Sequence, residues 1–116
     1  MSPYEEKYIS FAVRVVELKK ALNEKREYNM ADQVSRAGTA IGAMQREATF
    51  AESDSDMIHK LRIALKEASE TKYWQEILFR TNYINNKEYD ELKKECEELI
   101  CMLTSSINTI RRRIEK

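Results

Sequence analysis

Apolar residues recur at helical spacing through nearly all of the 116-residue chain. The pattern is cleanest in the last quarter. There Tyr89, Leu92, Cys96, Leu99, Leu103, Ile107, Ile110 and Ile114 follow at steps of three and four. A stripe sustained for more than three heptads is that of a helix in a bundle seam. The pair Asn85-Asn86 predicts the preceding turn, with Asn86 as the cap. Upstream, Met57, Ile58, Leu61, Ala64, Leu65, Ala68, Thr71, Trp74 and Leu78 predict another helix. Asp54 or Ser55 caps it, and it should end near Asn82. At the N-terminus, Ser2-Pro3 followed by Glu5 and Glu6 is a helix start: a cap, Pro in the first turn, and acids at the positive end of the dipole. Tyr8, Ile9, Ala12, Val13, Val16 and Leu22 form its apolar stripe, with Phe11, Val15 and Leu18 beside them. This helix should run from about Pro3 to Lys25.

The segment from Ala31 to Ala51 is different. Small residues dominate it: Ala31, Ser35, Ala37, Gly38, Thr39, Ala40, Gly42, Ala43, Ala48 and Ala51. Val34, Ile41 and Met44 supply larger apolar groups on one face. Asn29 reads as its cap, with Asp32 three residues on. Both glycines of the chain, Gly38 and Gly42, lie here on one side. Each costs about 1 kcal/mol against Ala in a helix interior. Close approach of another helix backbone would offset that cost. Such a helix belongs at the centre of a bundle, and the same face is a candidate for contact with a second subunit. Gln33, Arg36, Gln45 and Arg46 exclude a small-residue contact inside a membrane.

Four helices with short links predict an all-α fold: a single-domain, antiparallel up-down-up-down four-helix bundle over residues 1–116. Two glycines, one proline and 34% charged residues agree with an all-helical protein. No apolar run is long enough for a bilayer, and Ser2, Pro3, Glu5 and Glu6 do not resemble the start of a signal peptide. The expected location is the cytoplasm. Twenty basic and twenty acidic residues cancel, which removes whole-molecule attraction to nucleic acid or anionic membranes. Cys96 and Cys101 would project about 140° apart on one helix with Cα atoms over ~7 Å apart, too far for a disulfide. Cys96 falls on the apolar stripe as a small core residue.

Catalytic chemistry finds little support. A di-iron bundle needs Glu-x-x-His on two helices. His59 is the single histidine and lacks that motif, so it reads as a surface residue. No Gly-rich phosphate loop occurs. The expectation is a protein that is not an enzyme and uses no metal or cofactor. Glu47, Glu67 and Glu70 are candidates for ion pairs that fix helix register or subunit contacts, with Arg36 and Lys66 as partners and Trp74 on the same face as Glu67. Arg111, Arg112, Arg113 and Lys116 form a candidate nucleic-acid patch. They also complement the dipole of a helix whose start is acidic. Lys19, Lys20, Lys25 and Arg26 end the first helix similarly. In an antiparallel bundle the two basic clusters lie at opposite poles.

Three segments carry a resemblance: Ser35-Arg-Ala-Gly-Thr-Ala-Ile-Gly-Ala43, Glu47-Ala48, and Lys60 to Trp74 with its core Ile-Ala-Leu-Lys-Glu-Ala-Ser-Glu-Thr-Lys-Tyr-Trp. The chain resembles the four-helix-bundle proteins encoded in 23S rRNA intervening sequences. That family includes the accessory variability determinant proteins of diversity-generating retroelements. The resemblance covers all four helices. Met44 and Gln45 depart from the Asn and Ile usual there, and Ala40 replaces a usual Ser. The resemblance implies a homopentameric ring with a central channel. For the retroelement members it implies partners: a reverse transcriptase, and RNA or DNA. The functional expectation is an oligomeric scaffold or adaptor for a nucleic-acid-handling partner. The alternative is direct, sequence-independent nucleic-acid binding by a basic rim. Gly38, Gly42, Arg36, Glu47, Glu67, Glu70 and Trp74 are the expected helix or subunit contacts.

Overall fold

The computed structural model describes residues 2–115. They form α1 (Pro3–Glu24), α2 (Tyr28–Thr49), α3 (Asp54–Arg80) and α4 (Asn86–Ile114). Ser2 caps α1 by accepting from the Glu5 amide at 3.1 Å, with Pro3 as the first helical residue. Two expected caps shift by one or two residues. Ser53, not Asp54 or Ser55, caps α3 and accepts from the Asp56 amide at 3.0 Å. Asn85, not Asn86, caps α4, and Glu88 completes a capping box. Asn29 caps nothing: α2 already starts at Tyr28, and its N-cap Glu27 makes no side-chain capping bond.

The links explain the early start of α2. After α1 the chain turns through Arg26 at φ 62°. The Glu27 amide then reaches the Leu22 carbonyl at 2.9 Å and the Arg26 amide the Asn23 carbonyl at 3.0 Å. This is a Schellman ending with arginine where glycine is usual. It needs so few residues that α2 begins at once. The end of α3 repeats it with Asn82 at φ 67°, and the Tyr83 amide bonds the Leu78 carbonyl at 2.9 Å. Asn82 is therefore the residue that terminates the helix, two positions past its end.

Ion pairs and contacts fix the directions. Gly38 and Gly42 of α2 meet Val15 and Tyr8 of α1. Glu47 and Glu67 pair with Lys60 and Arg36. Lys72 pairs with Glu97, and Arg113 with Asp54. In each pair of neighbours the numbers rise on one helix as they fall on the other, so consecutive helices are antiparallel. The body measures 52 × 24 × 22 Å. Among the described residues no helix is long and apolar enough to cross a membrane.

The core confirms the α4 stripe from Leu92 to Ile110, while Ile114 beyond it is exposed. On α1 the inward face is Tyr8, Phe11, Val15, Leu18 and Leu22. Val13 and Val16, expected inside, are 53% and 39% exposed. Apolar residues lie on two sides of α1, and the side with the bulkier groups turns inward because it removes more surface from water. On α3, Gln75 joins the buried row, and its amide has no hydrogen-bond partner among the described residues.

Glycine is required most at Gly38. A Cβ there would stand 2.8 Å from both γ-carbons of Val15, a fully buried residue. At Gly42 the nearest atom is Tyr8 Cβ at 3.2 Å, and the site borders an open groove. Gly38→Leu should therefore lower the melting temperature more than Gly42→Leu, which should cost about 1–3 kcal/mol. Thermal unfolding followed by circular dichroism orders the two; an unchanged Tm for Gly38→Leu would show that α1 and α2 are not held at this distance.

Candidate functional site

Arg36 stands on the outer side of α2, one helix away from α3. It pairs with Glu67 at 3.4 Å and with Glu70. The indole Nε1 of Trp74 donates to the same Glu70 carboxylate at 3.0 Å. Spacings of three and four along α3 stack Glu67, Glu70 and Trp74 on one face, where a single arginine reaches two of them. Tyr73, 60% exposed, lies edge-on to Trp74 at 5.0 Å between centroids. Farther along, Glu47 meets Lys60 at 3.8 Å. Arg36, Glu47, Glu67, Glu70 and Trp74 thus join α2 to α3 within the chain. Gly38 and Gly42 join α2 to α1.

The basic clusters occupy opposite poles, as the antiparallel order requires. At the end of α4, Arg111 and Arg112 are exposed, and Arg113 is tied to Asp54 at 3.0 Å. Lys116 lies outside the described residues. At the other pole Lys19 pairs with Asp32 at 3.8 Å, while the Lys25 ammonium donates to the Tyr83 carbonyl at 3.2 Å. The hydroxyl of Tyr83 donates to Glu27 at 2.8 Å, and that carboxylate raises the phenol's pKa. His59 is exposed. Among the described residues no group of three His, Cys, Asp or Glu side chains is placed to hold a metal ion. Burial pushes the Cys96 thiol up to about 12, whereas Cys101 is exposed and free. A thiol so raised stays protonated at neutral pH and is a poor nucleophile.

Two surfaces escaped the sequence reading. The first is the outward side of α1. Ile9, Ala12, Val13 and Val16 form a second apolar stripe, met across a groove by the small residues Thr39 and Ala43 of α2. A groove of about 420 Å³ runs between the two helices, with Ile9, Ala12, Thr39 and Ala43 along it. The signal was present in the sequence, but the α1 residues were assigned to the core, whereas the small residues of α2 already stood as a candidate subunit contact. Phe11 and Phe79 are absorbed by the bundle: Phe11 is 1% exposed, and Phe79 stacks on Tyr89 at 4.5 Å. The second is the α1–α4 seam. These helices approach closely at far fewer points than other neighbours. Charged side chains span the gap: Lys7 to Glu98, and Arg14 to Glu95 and, at 3.1 Å, to Glu91. Partial burial works to lower the Arg14 pKa, but the two carboxylates outweigh it and raise the value.

Arg36 and Glu70 each have two partners, but only the loss of Glu70 orphans a part-buried indole N–H, which adds to its cost. Arg36→Gln should cost about 0.2–1 kcal/mol, because the pair is half exposed. Glu70→Ala also removes the acceptor of the Trp74 N–H and should cost more. Urea titrations of the two variants and their combination measure this, and equal single costs would show that the indole bond contributes nothing.

Comparison with known proteins agrees with this architecture. The model of the 23S rRNA-intervening sequence protein family matches residues 4–105. The fold is similar to a 1.70 Å crystal structure from Bacteroides thetaiotaomicron, a protein with unknown function from the S23 ribosomal protein family. The two share 48% identity, with a TM-score of 0.87 over 90% of this chain and 97% of the other. Among curated proteins none matches significantly. With the family match spanning all but the last turns of α4, the chain belongs to the 23S rRNA-intervening sequence protein family.

Proposed function

We propose that this chain works as a non-enzymatic homo-oligomeric scaffold or adaptor for a partner that handles nucleic acid. The observation that carries this reading is the second apolar face of α1. Val13 and Val16 are exposed beside Ile9 and Ala12, and α2 extends the patch with small residues. Large side chains hold the inward face of α1, so the outward valines add nothing to the subunit's own core. A contiguous apolar patch on a small domain is characteristic of an interface. The small residues of α2 let a second backbone come near. A ring of such subunits, pentameric in the family's manner, would repeat every surface feature around one axis.

A second reading, direct nucleic-acid binding, is favoured by one observation. Arg111 and Arg112 are exposed at one pole, whereas Arg113 is answered by Asp54. A ring would multiply two exposed arginines per subunit into a basic annulus on an otherwise neutral protein.

Light scattering coupled to size exclusion should give several times the 13.7 kDa chain mass. The double substitution Val13→Glu/Val16→Glu should reduce it to the monomer mass while leaving the helical spectrum intact, since neither side chain is in the core. A monomeric wild type at micromolar concentration would overturn the oligomer.

For the second reading, binding should be independent of sequence and steeply salt-dependent. Log K falls by about 0.9 per neutralised phosphate for each decade of salt on duplex DNA. Replacing Arg111, Arg112 and Arg113 by Gln should flatten that slope and weaken binding to all sequences alike. No mobility shift with RNA or DNA at low salt would leave the adaptor reading alone. Tight binding that survives the substitution would exclude the rim.

A further inference from the structure

The outward stripe of α1 is matched by a second exposed face, on α3. Ile63, Lys66, Glu70, Tyr73 and Ile77 follow there at steps of three and four, so they share one side of the helix. Lys66 is exposed and Tyr73 is 60% exposed, while Ile63, Trp74 and Ile77 are half-buried. The two faces carry opposite charges. Glu5 and Glu17 flank the α1 stripe, both exposed and without a cationic partner among the described residues. Arg62 and Lys66 stand on the α3 side, both exposed and without a carboxylate partner among the described residues. Apolar surface with acids at its edge thus answers apolar surface with bases at its edge.

The heights agree as well. Val15 lies level with Gly38 and Tyr8 with Gly42, while Arg36 lies level with Glu67 and Glu70, and Glu47 with Lys60. Followed across α2, this ladder brings Ile9 to the height of Ile63 and Val13 to that of Lys66. α1 and α3 run in the same direction, so rotation about an axis parallel to the bundle preserves these heights from one copy to the next. With a rise of about 1.5 Å per residue, Glu5 then falls within about 5–8 Å of Arg62 along the axis, and Glu17 within the same span of Lys66. Long basic side chains cross such gaps.

The directions of the faces favour closure. α1 and α3 occupy diagonal corners of the bundle, with α2 between them. The α1 stripe borders the groove shared with α2, and the α3 face borders the contact of Arg36 with Glu70. Both faces therefore lean toward α2. A body whose two contact faces lean toward one edge is a wedge, and repeated wedges turn the same way until they close.

We propose that the outward stripe of α1 docks on the outward face of α3 in the next copy of this chain, head to tail around a ring with α2 nearest the axis. The pairing rests on the oligomer reading and specifies which surfaces meet. Two α1 stripes joined about a two-fold would cover Val13 and Val16 but leave Tyr73, Ile77, Arg62 and Lys66 in solvent. A single heterologous contact covers both faces.

Cysteine cross-linking of the full chain tests this, with Cys101→Ser removing the exposed thiol. Val13→Cys and Lys66→Cys change only exposed positions, so the fold should survive, as circular dichroism can verify. Under mild oxidation, chains carrying both changes should give a ladder of cross-linked multimers. Chains with Val13→Cys alone should give none, whereas chains with one change each, expressed together, should join only as unlike pairs. Glu17→Lys and Lys66→Glu should each raise the subunit dissociation constant by about 3–10-fold, and their combination in one chain should recover most of the loss. A monomeric wild type would overturn this pairing together with the oligomer reading. An oligomer of unchanged mass that forms no ladder, or that cross-links through Val13→Cys alone, would overturn the α1–α3 pairing and leave the oligomer standing. Additive losses in the charge-reversed pair would also overturn it.

Discussion

The closest approach between α1 and α2 is the constraint on which the rest of the bundle depends. Val15 rests on Gly38 at a distance where no β-carbon fits, and Tyr8 crosses Gly42 one turn along. This contact sets the angle at which α1 presents its bulky side to the core. Once Phe11, Leu18 and Leu22 are buried there, Ile9, Val13 and Val16 have nowhere to go but outward. The apolar surface offered to a second copy is thus a consequence of two missing side chains on the neighbouring helix. Helix propensity argues against glycine at both places. Packing overrides it, and the small residues of α2 let α1 approach more closely than a β-carbon would allow.

Much of the architecture was legible in the sequence because the chain is consistent at several levels. The stripe from Leu92 to Ile110, the Ser2-Pro3 start and the lack of breakers all point to the same four helices. Errors gathered where two local solutions are nearly equal. Asn85 and Asn86 are both good caps, and only the backbone angles decide between them. Arg26 in a left-handed conformation carries no compositional sign, so the tight ending of α1 was invisible and α2 appeared to start late. The two apolar faces of α1 could not be ranked by period. Volume and the glycines opposite decide which one is inside. Gln75 interrupts an apolar row as a polar residue and for that reason escaped notice.

The candidate site was legible in part. The charges around Arg36 could be listed from sequence, but their convergence on one carboxylate also claimed by Trp74 required the structure. The basic tract at the end of α4 looked uniform, yet Asp54 from another helix singles out Arg113.

The α1–α4 seam gives the bundle an uneven strength. Three of its four lateral boundaries are zipped by apolar side chains and close backbones, but this one is bridged largely by long, half-exposed charged groups. Such bridges weaken as ions screen them, whereas apolar contacts do not. Local opening in a folded protein starts where few buried contacts must be broken. The amides of α1 should therefore exchange with solvent sooner than those of the α2–α3 hairpin, and sooner still as ionic strength rises. The first helix of the chain behaves as a hinged outer stave, and the hairpin behind it is the frame that persists when the stave swings away.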